Sequence, residues 1–304
     1  MSSTPGPARG RALGYALVAG SAASWGSWSL MLRPAERLGP LAPELVAMLV
    51  QAMTAVVSVP LALRARPGTA RDGRAWGLLA ALALSNAINM WLFFKAMALT
   101  TVAVAVLTHS LAPLLVAAFA PWVTGEPSSR RTWACLLVAL AGLTLLLEPW
   151  ATPARGLVAG ASAGGASAVF YAFNVLGQKR LGPRFHPAET VGYQAIVATV
   201  LLGALVPAGG WSLVAGQVPL VALAALVPGA IASLTFVAGL RMLPASHTAT
   251  LVLLEPLVAV LLGVIVWREP LGAAGALGGV LMLGSLVASV QTGRPGMNAE
   301  AGEQ

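Results

Sequence analysis

Two ionisable residues stand inside apolar runs of this sequence, and the chemistry open to them is ligand binding and proton exchange. Glu255 is the one charged residue of Ala249 to Gly263, "ATLVLLEPLVAVLLG", and His109 stands in "LTHSLAPLL". An ionised acid at the centre of a membrane-crossing helix costs about 3 kcal/mol. Glu255 must therefore be protonated, paired or facing water. Each option constrains function, and the functional reading is that it binds a cationic group, exchanges a proton, or does both in competition. The structural alternative is an acid that steadies the helix by bonding a hydroxyl such as Thr250 or backbone freed by Pro256. For His109 the equivalent is a neutral ring satisfied by one hydroxyl.

Further polar and aromatic groups recur at helical spacing. Asn86, Asn89 and Phe93 share one helix face, Ser21, Trp25 and Trp28 a second, and Ser167, Tyr171 and Asn174 a third. As a cavity lining they would offer aromatic faces to a cation and amides to a zwitterion; as packing groups they would join helices to one another. Other chemistry is missing. The single Cys135 lies in an apolar run, so neither a disulfide framework nor a cysteine metal site is available. No phosphate-binding loop or nucleophile elbow occurs, and the sole aspartate, Asp72, falls in a loop. No metal or cofactor is expected, and an enzyme would have only His109 and Glu255 as its catalytic pair. Energy for uphill work would come from a gradient.

The elements that must position these residues are membrane helices. Of 304 residues 58% are hydrophobic and 9% charged, and mean hydropathy is +0.82, against about 25% charged residues in soluble domains. Breaks at Pro, Gly and Arg clusters predict ten crossings, at 12–32, 42–63, 75–94, 101–123, 131–148, 155–178, 188–207, 217–241, 244–267 and 271–290. The first run follows Arg9 and Arg11 but continues through "SWGSWSLML" without a clear small-residue cleavage site, and reads as a retained helix. Residues 1–11 and 291–304 read as short cytoplasmic tails. The net charge of +8 comes from arginines between the runs. That points to lipid headgroups and topology, and excludes a soluble nucleic-acid binder.

The chain also repeats itself. "RLGP" at Arg37 recurs at Arg180, Gln51 matches Gln194, Pro113 matches Pro256, and Glu126 of "EP" matches Glu269, every pair 143 residues apart. Each half, 12–148 and 155–290, holds five predicted helices, and five is odd. The second half would enter the membrane from the opposite side, an inverted repeat typical of secondary transporters. Orientation follows from Lys and Arg. With the N-terminus inside, thirteen fall on the inner side, among them Arg64, Arg66, Arg71, Arg130, Lys179, Arg241 and Arg294, and five outside: Arg33, Arg37, Lys95, Arg155 and Arg268. Both termini are expected in the cytoplasm.

At about 1.5 Å per residue, Glu255 lies roughly 16 Å from the inner end of its helix and His109 roughly 12 Å from the outer end of its own. Both fall near the midplane, on helices that the repeat exchanges, so they would approach one central cavity from opposite halves. Trp28 and Tyr171, also 143 apart, would place aromatics at equivalent points. Glu126 and Glu269 read as interfacial capping or paired acids, His186 and His247 as solvated or capping groups. Lys95 reads as a snorkelling cation. Gly272, Gly275, Gly278 and Gly279 form a small-residue face for a close contact within the monomer or across a dimer.

Ten helices in inverted halves, with "HSLAPLLVAAFAPWVTGEP" and "LLEPLVAVLLGVIVWREP" as the fourth helix of each, resemble the EamA-type exporters of the drug/metabolite transporter superfamily. The matching pattern is a mid-helix break at Pro113 or Pro256, a Glu at the helix end and a closing Gly-rich helix carrying Gly142 or Gly284. The resemblance covers Gly14 to Ala288 and implies an all-α, ten-helix protein of the inner membrane. It implies export of small polar metabolites such as amino acids, or of amphipathic cations, by alternating access. The site residues expected are Glu255, His109, Asn86, Asn89, Trp28, Tyr171 and Asn174, with protons as possible co-substrates and lipids as surroundings. An uncoupled facilitator and a translocator of lipid-linked head groups are the alternatives. Thr108, His109 and Ser110, with Ala112, stand where the second half has Glu255, so the halves are not chemically equivalent.

Overall fold

The computed structural model describes residues 7–65, 71–151, 156–182 and 184–292, and among them there are helices and connections but no strand. Residues 1–6 and 293–304 of the expected tails, with Arg66, Arg155, Pro183 and Arg294, lie outside the described residues. The helices are α1 (Pro7–Gly26), α2 (Ser29–Leu38), α3 (Pro43–Arg64), α4 (Gly73–Leu99), α5 (Val102–His109), α6 (Ala112–Val123) and α7 (Arg130–Leu147). They continue as α8 (Leu157–Leu181), α9 (Pro187–Gly203), α10 (Gln217–Ala224), α11 (Ala232–Leu240), α12 (Ala245–Val252), α13 (Leu254–Trp267) and α14 (Ala273–Thr292). The first helix starts at Pro7, so residues 7–11 of the expected tail are helical.

Among the described residues seven helical segments are long and apolar enough to cross a membrane: Pro43–Arg64, Gly73–Leu99, Val102–Val123, Arg130–Leu147, Gln217–Leu240, Ala245–Trp267 and Ala273–Gln291. The α1–α2 pair, α8 and α9 pack beside them. Polar side chains set several helix starts by accepting orphan amides. Asp72 caps α4 through Ala75 N–H at 2.9 Å, and Ser129 caps α7 through Thr132 N–H at 3.1 Å. His186 and Glu189 form a reciprocal box at the start of α9.

Breaks inside the long segments have local causes. Pro113 and Pro256 lack an N–H and crowd the preceding turn, and the helix is interrupted just before each, at Ser110–Leu111 and at Leu253. These breaks sit at repeat-equivalent positions. A further break at Ser27–Trp28, where the Ser27 hydroxyl donates to the Ser24 carbonyl at 2.7 Å, separates α1 from α2. Between α10 and α11 the backbone widens to a π-helical stretch, Ala225–Ile231, around Pro228. The run expected as one helix over 12–32 is therefore two, and the one expected over 217–241 carries a π turn.

Packing joins the two parts of the chain. α3 lies along α9, α4 along α8, α7 along α14 and α1 along α11, each pairing a helix before Pro149 with one after it. Lipid tails are as apolar as leucine, so close backbone approach replaces the hydrophobic effect here. A Cβ on Gly142 of α7 would lie 2.7 Å from the Gly278 carbonyl oxygen of α14. The glycine face of α14 is thus used at Gly278 for a contact within the chain. The largest apolar cluster, including Val18, Val116, Val175, Phe236 and Leu240, draws on six helices.

Candidate functional site

Halfway along α3, α4, α8 and α9 the side chains at helical spacing turn polar, and they enclose a cavity of about 110 Å³. Its lining includes Trp25 of α1, Gln51 and Thr54 of α3, Asn86 and Asn89 of α4, Tyr171, Asn174 and Gln178 of α8, Gln194 of α9, and Ser233 and Phe236 of α11. Among the described residues no acid or base lines it. The Asn174 Nδ2 donates to Ser85 Oγ at 2.9 Å and to the Phe170 carbonyl at 3.2 Å, which fixes the amide against α4. Trp25 is held by Phe236, ring centroids 5.1 Å apart.

Several buried polar atoms on this lining have no partner among the described residues: Asn89 Oδ1, Tyr171 Oη, Asn174 Oδ1, Gln178 Oε1 and Gln194 Nε2. Native interiors satisfy the great majority of such groups. Five of these exceptions belong to residues around one cavity, where hydrogen-bonding capacity is left over.

His109 and Glu255 are not part of this lining, and each acts on Tyr171, His109 by ring contact and Glu255 through its charge. His109 ends α5, its Nδ1 2.7 Å from Ser167 Oγ, with its ring 4.6 Å from Phe93 and edge-on to Tyr171 at 5.3 Å. The Ser167 hydroxyl donates its one proton to the Gly164 carbonyl at 2.8 Å. Ser167 thus links the His109 ring to the backbone of α8. Glu255 is the second residue of α13, where the free amides of a helix start favour negative charge. It makes no hydrogen bond or ion pair with a described residue and lies within electrostatic range of Tyr171. Its backbone carbonyl is pressed against Gly26, where a Cβ would sit 2.5 Å away.

Of the residues singled out by sequence, Asn86, Asn89, Tyr171 and Asn174 line the cavity; His109 and Glu255 act on Tyr171 of that lining. Trp28 does neither: at the α1–α2 break it packs with Val46, Val50 and Ala225. Gln51, Thr54, Gln178, Gln194 and Ser233 were not read as site residues. The available signal was Gln51 and Gln194, amides in apolar helices at repeat-equivalent positions, which sequence reasoning used only as anchors of the repeat.

The two repeat-equivalent glutamates close opposite ends of the bundle. Glu126 pairs with Lys179 at 2.6 Å and accepts the Ala245 N–H at 2.8 Å, while Lys179 also donates to the Leu243 carbonyl. Beside it Tyr15 Oη and His247 Nδ1 are 2.8 Å apart, and Arg71 grips Glu189 with both oxygens at 2.9 Å. At the far end Glu269 pairs with Arg33 at 2.5 Å, and Arg33 and Arg37 stack over Trp267. A second cavity, of about 250 Å³, lies at that far end between Thr101, Glu148 and Gly272. There Glu148 Oε1 accepts the Gly275 N–H at 3.2 Å and so serves the start of α14.

Comparison with known proteins gives a consistent result. The EamA-like transporter family model matches residues 12–148 and again 158–291. An uncharacterized transporter of Bacillus subtilis, YwfM, is 32% identical over 227 residues, 71% of this chain and 74% of the relative. An uncharacterized transporter of Archaeoglobus fulgidus is 28% identical over 225 residues, 73% of this chain and 79% of the relative. A solved crystal structure superposes with a TM-score of 0.78 at 21% identity, covering 95% of this chain and 99% of that one, a likeness of fold.

Proposed function

Because this chain belongs to the EamA-like transporter family, we propose that it exports small polar metabolites, amino acids or related compounds, or else amphipathic organic cations, across the inner membrane by alternating access. The observation that carries this reading is the cavity at mid-helix with its unpartnered amide and phenol groups. A binding site at the midplane between repeats is where secondary transporters hold their substrate. In this reading the chain crosses the membrane ten times. The α1–α2 pair, α8 and α9 add three crossings to the seven longest apolar segments, and the halves 12–148 and 155–290 form an inverted repeat. The termini lie in the cytoplasm, so the end with Glu126 and Lys179 faces inward. The breaks before Pro113 and Pro256 are the points about which the halves bend.

Glu255 is the coupling group. It lies within electrostatic range of Tyr171 on the lining and has no ion-pair partner among the described residues, so taking up or releasing a proton there changes the field at the site. The test is proton release from the purified protein in detergent on adding amino acids and organic cations, wild type against Glu255→Gln. Release that the variant loses supports coupling. Equal ligand binding by both with no proton signal would make the protein an uncoupled facilitator. A translocator of lipid-linked head groups is disfavoured by the lining, which includes no arginine.

A further inference from the structure

We propose that Gln51 and Gln194 act together as one recognition element, for a ligand of zero net charge that presents both hydrogen-bond donors and acceptors, a zwitterion in the first instance. This rests on the cavity being the transport site, and it narrows the choice between polar metabolites and organic cations.

The geometry comes from the register of α3 on α9. A Cβ on Gly192 would lie 3.4 Å from Ser58 and Val59, and one on Gly203 would lie 3.5 Å from Met48. The two helices therefore run antiparallel, with residue numbers on facing positions summing to a constant. Gln51 faces the turn near residue 199, and Gln194 the turn near residue 56. The two glutamines are about five residues apart along the paired helices, roughly 7–8 Å at 1.5 Å per residue. Both line the same cavity, one on each side of the midpoint of the α3–α9 contact.

Each glutamine has hydrogen-bonding capacity to spare. Gln194 is 4% exposed and its Nε2 has no partner. The Nε2 of Gln51 meets only the Met90 sulfur, at 2.7 Å, and a thioether is a weak acceptor. Across from them the free oxygens of Asn89, Asn174 and Gln178 await donors. An ammonium among those oxygens and a carboxylate between the glutamine amides would use the free amide groups, with the Tyr171 hydroxyl left to either end. Among the described lining residues there is no formal charge, so an ion of net charge would have no counter-ion in direct contact. Size points the same way. Pockets for drug-sized ligands run to about 300–1,000 Å³, and this one is about 110 Å³. Because the repeat exchanges the two glutamines, a ligand entering from either side meets an equivalent amide first.

The test uses full-length protein in nanodiscs, titrated calorimetrically with L-alanine, L-glutamine, L-lysine, L-glutamate and tetraethylammonium. L-alanine or L-glutamine should bind, and Gln51→Met and Gln194→Met, close in volume to the native side chains, should each weaken that binding at least tenfold without changing the elution profile of the protein. Gln194→Glu should shift preference toward L-lysine, an outcome that a merely destabilised fold would not give. Binding of L-alanine or L-glutamine that survives both methionine substitutions would overturn the proposal, as would tetraethylammonium binding in preference to them, or no binding of either neutral amino acid. Flux of the same solutes into proteoliposomes separates the two levels: transport of a charged solute unaffected at Gln51 and Gln194 sinks the pair alone, whereas no transport of any solute sinks the function it rests on.

Discussion

Glu126 and Glu269 occupy equivalent places in the repeat, each before a proline, yet they close the two ends of the bundle differently. The Glu126–Lys179 pair has side chains 32% and 13% exposed and is tied further to the backbone at Ala245 and Leu243. The Glu269–Arg33 pair has side chains 48% and 41% exposed and rests on the surface of Trp267. Partly buried ions that lose a partner keep their desolvation penalty, whereas exposed pairs exchange their partner for water at little cost. One end is therefore fastened and the other merely closed. The difference teaches that sequence symmetry between repeats does not carry over to equal strength at the two ends.

Breaking the fastened end should give the largest effect. Lys179→Met leaves Glu126 half-buried without its cation and should cost about 2–3 kcal/mol, discounted from values for fully buried pairs for its remaining exposure. Thermal unfolding in detergent would record this as a clear fall in midpoint, and adding Glu126→Gln should restore most of it. An unchanged midpoint in the single variant would erase the contrast between the ends. Next in size is Gly26→Val. The new Cβ would lie 2.5 Å from the Glu255 carbonyl and 2.7 Å from Val258, so α1 and α13 must move apart. Overpacking of this kind costs about 1–3 kcal/mol. A chymotrypsin time course that matches wild type would show that α1 and α13 are not as closely joined as the structure has them. Smallest is Arg33→Met at the looser end, expected to change stability by less than about 1 kcal/mol. A drop as large as that of Lys179→Met would mean that the far end is fastened too.

Much of the helix content was legible in the sequence, because hydropathy and punctuation act locally. Pro113 and Pro256 announced the breaks that follow from their missing amides. The break at Ser27–Trp28 was hidden, since no proline marks it and its local cause is a serine hydroxyl turned onto the Ser24 carbonyl, a use that the residue type alone does not announce. Pro228 was visible, but the way its turn is absorbed, by widening to a π stretch, is set by α3 packing alongside.

In the candidate site, helical period sufficed for Asn86, Asn89, Tyr171 and Asn174. It misdirected for Trp28, because the break turns α2 away from the axis of α1. Glu255 drew attention by its charge, yet at the start of α13 it does not join the cavity lining. Gln51 and Gln194 were the reverse case. Neutral amides attract little notice among apolar residues, and only the register of α3 on α9 brings them to one space.

The pairing of α3 with α9, α4 with α8, α7 with α14 and α1 with α11 has a consequence for biosynthesis. Every one of these contacts joins an earlier helix to a later one, so the first half enters the bilayer with its packing faces unmatched. It must wait there for the rest of the chain to be made. Glycines such as Gly26 and Gly142 then face lipid until Val258 and Gly278 close on them. A ribosome stalled between the halves would leave not half a transporter but a loose set of helices, recognisable to quality control by those bare glycine seams.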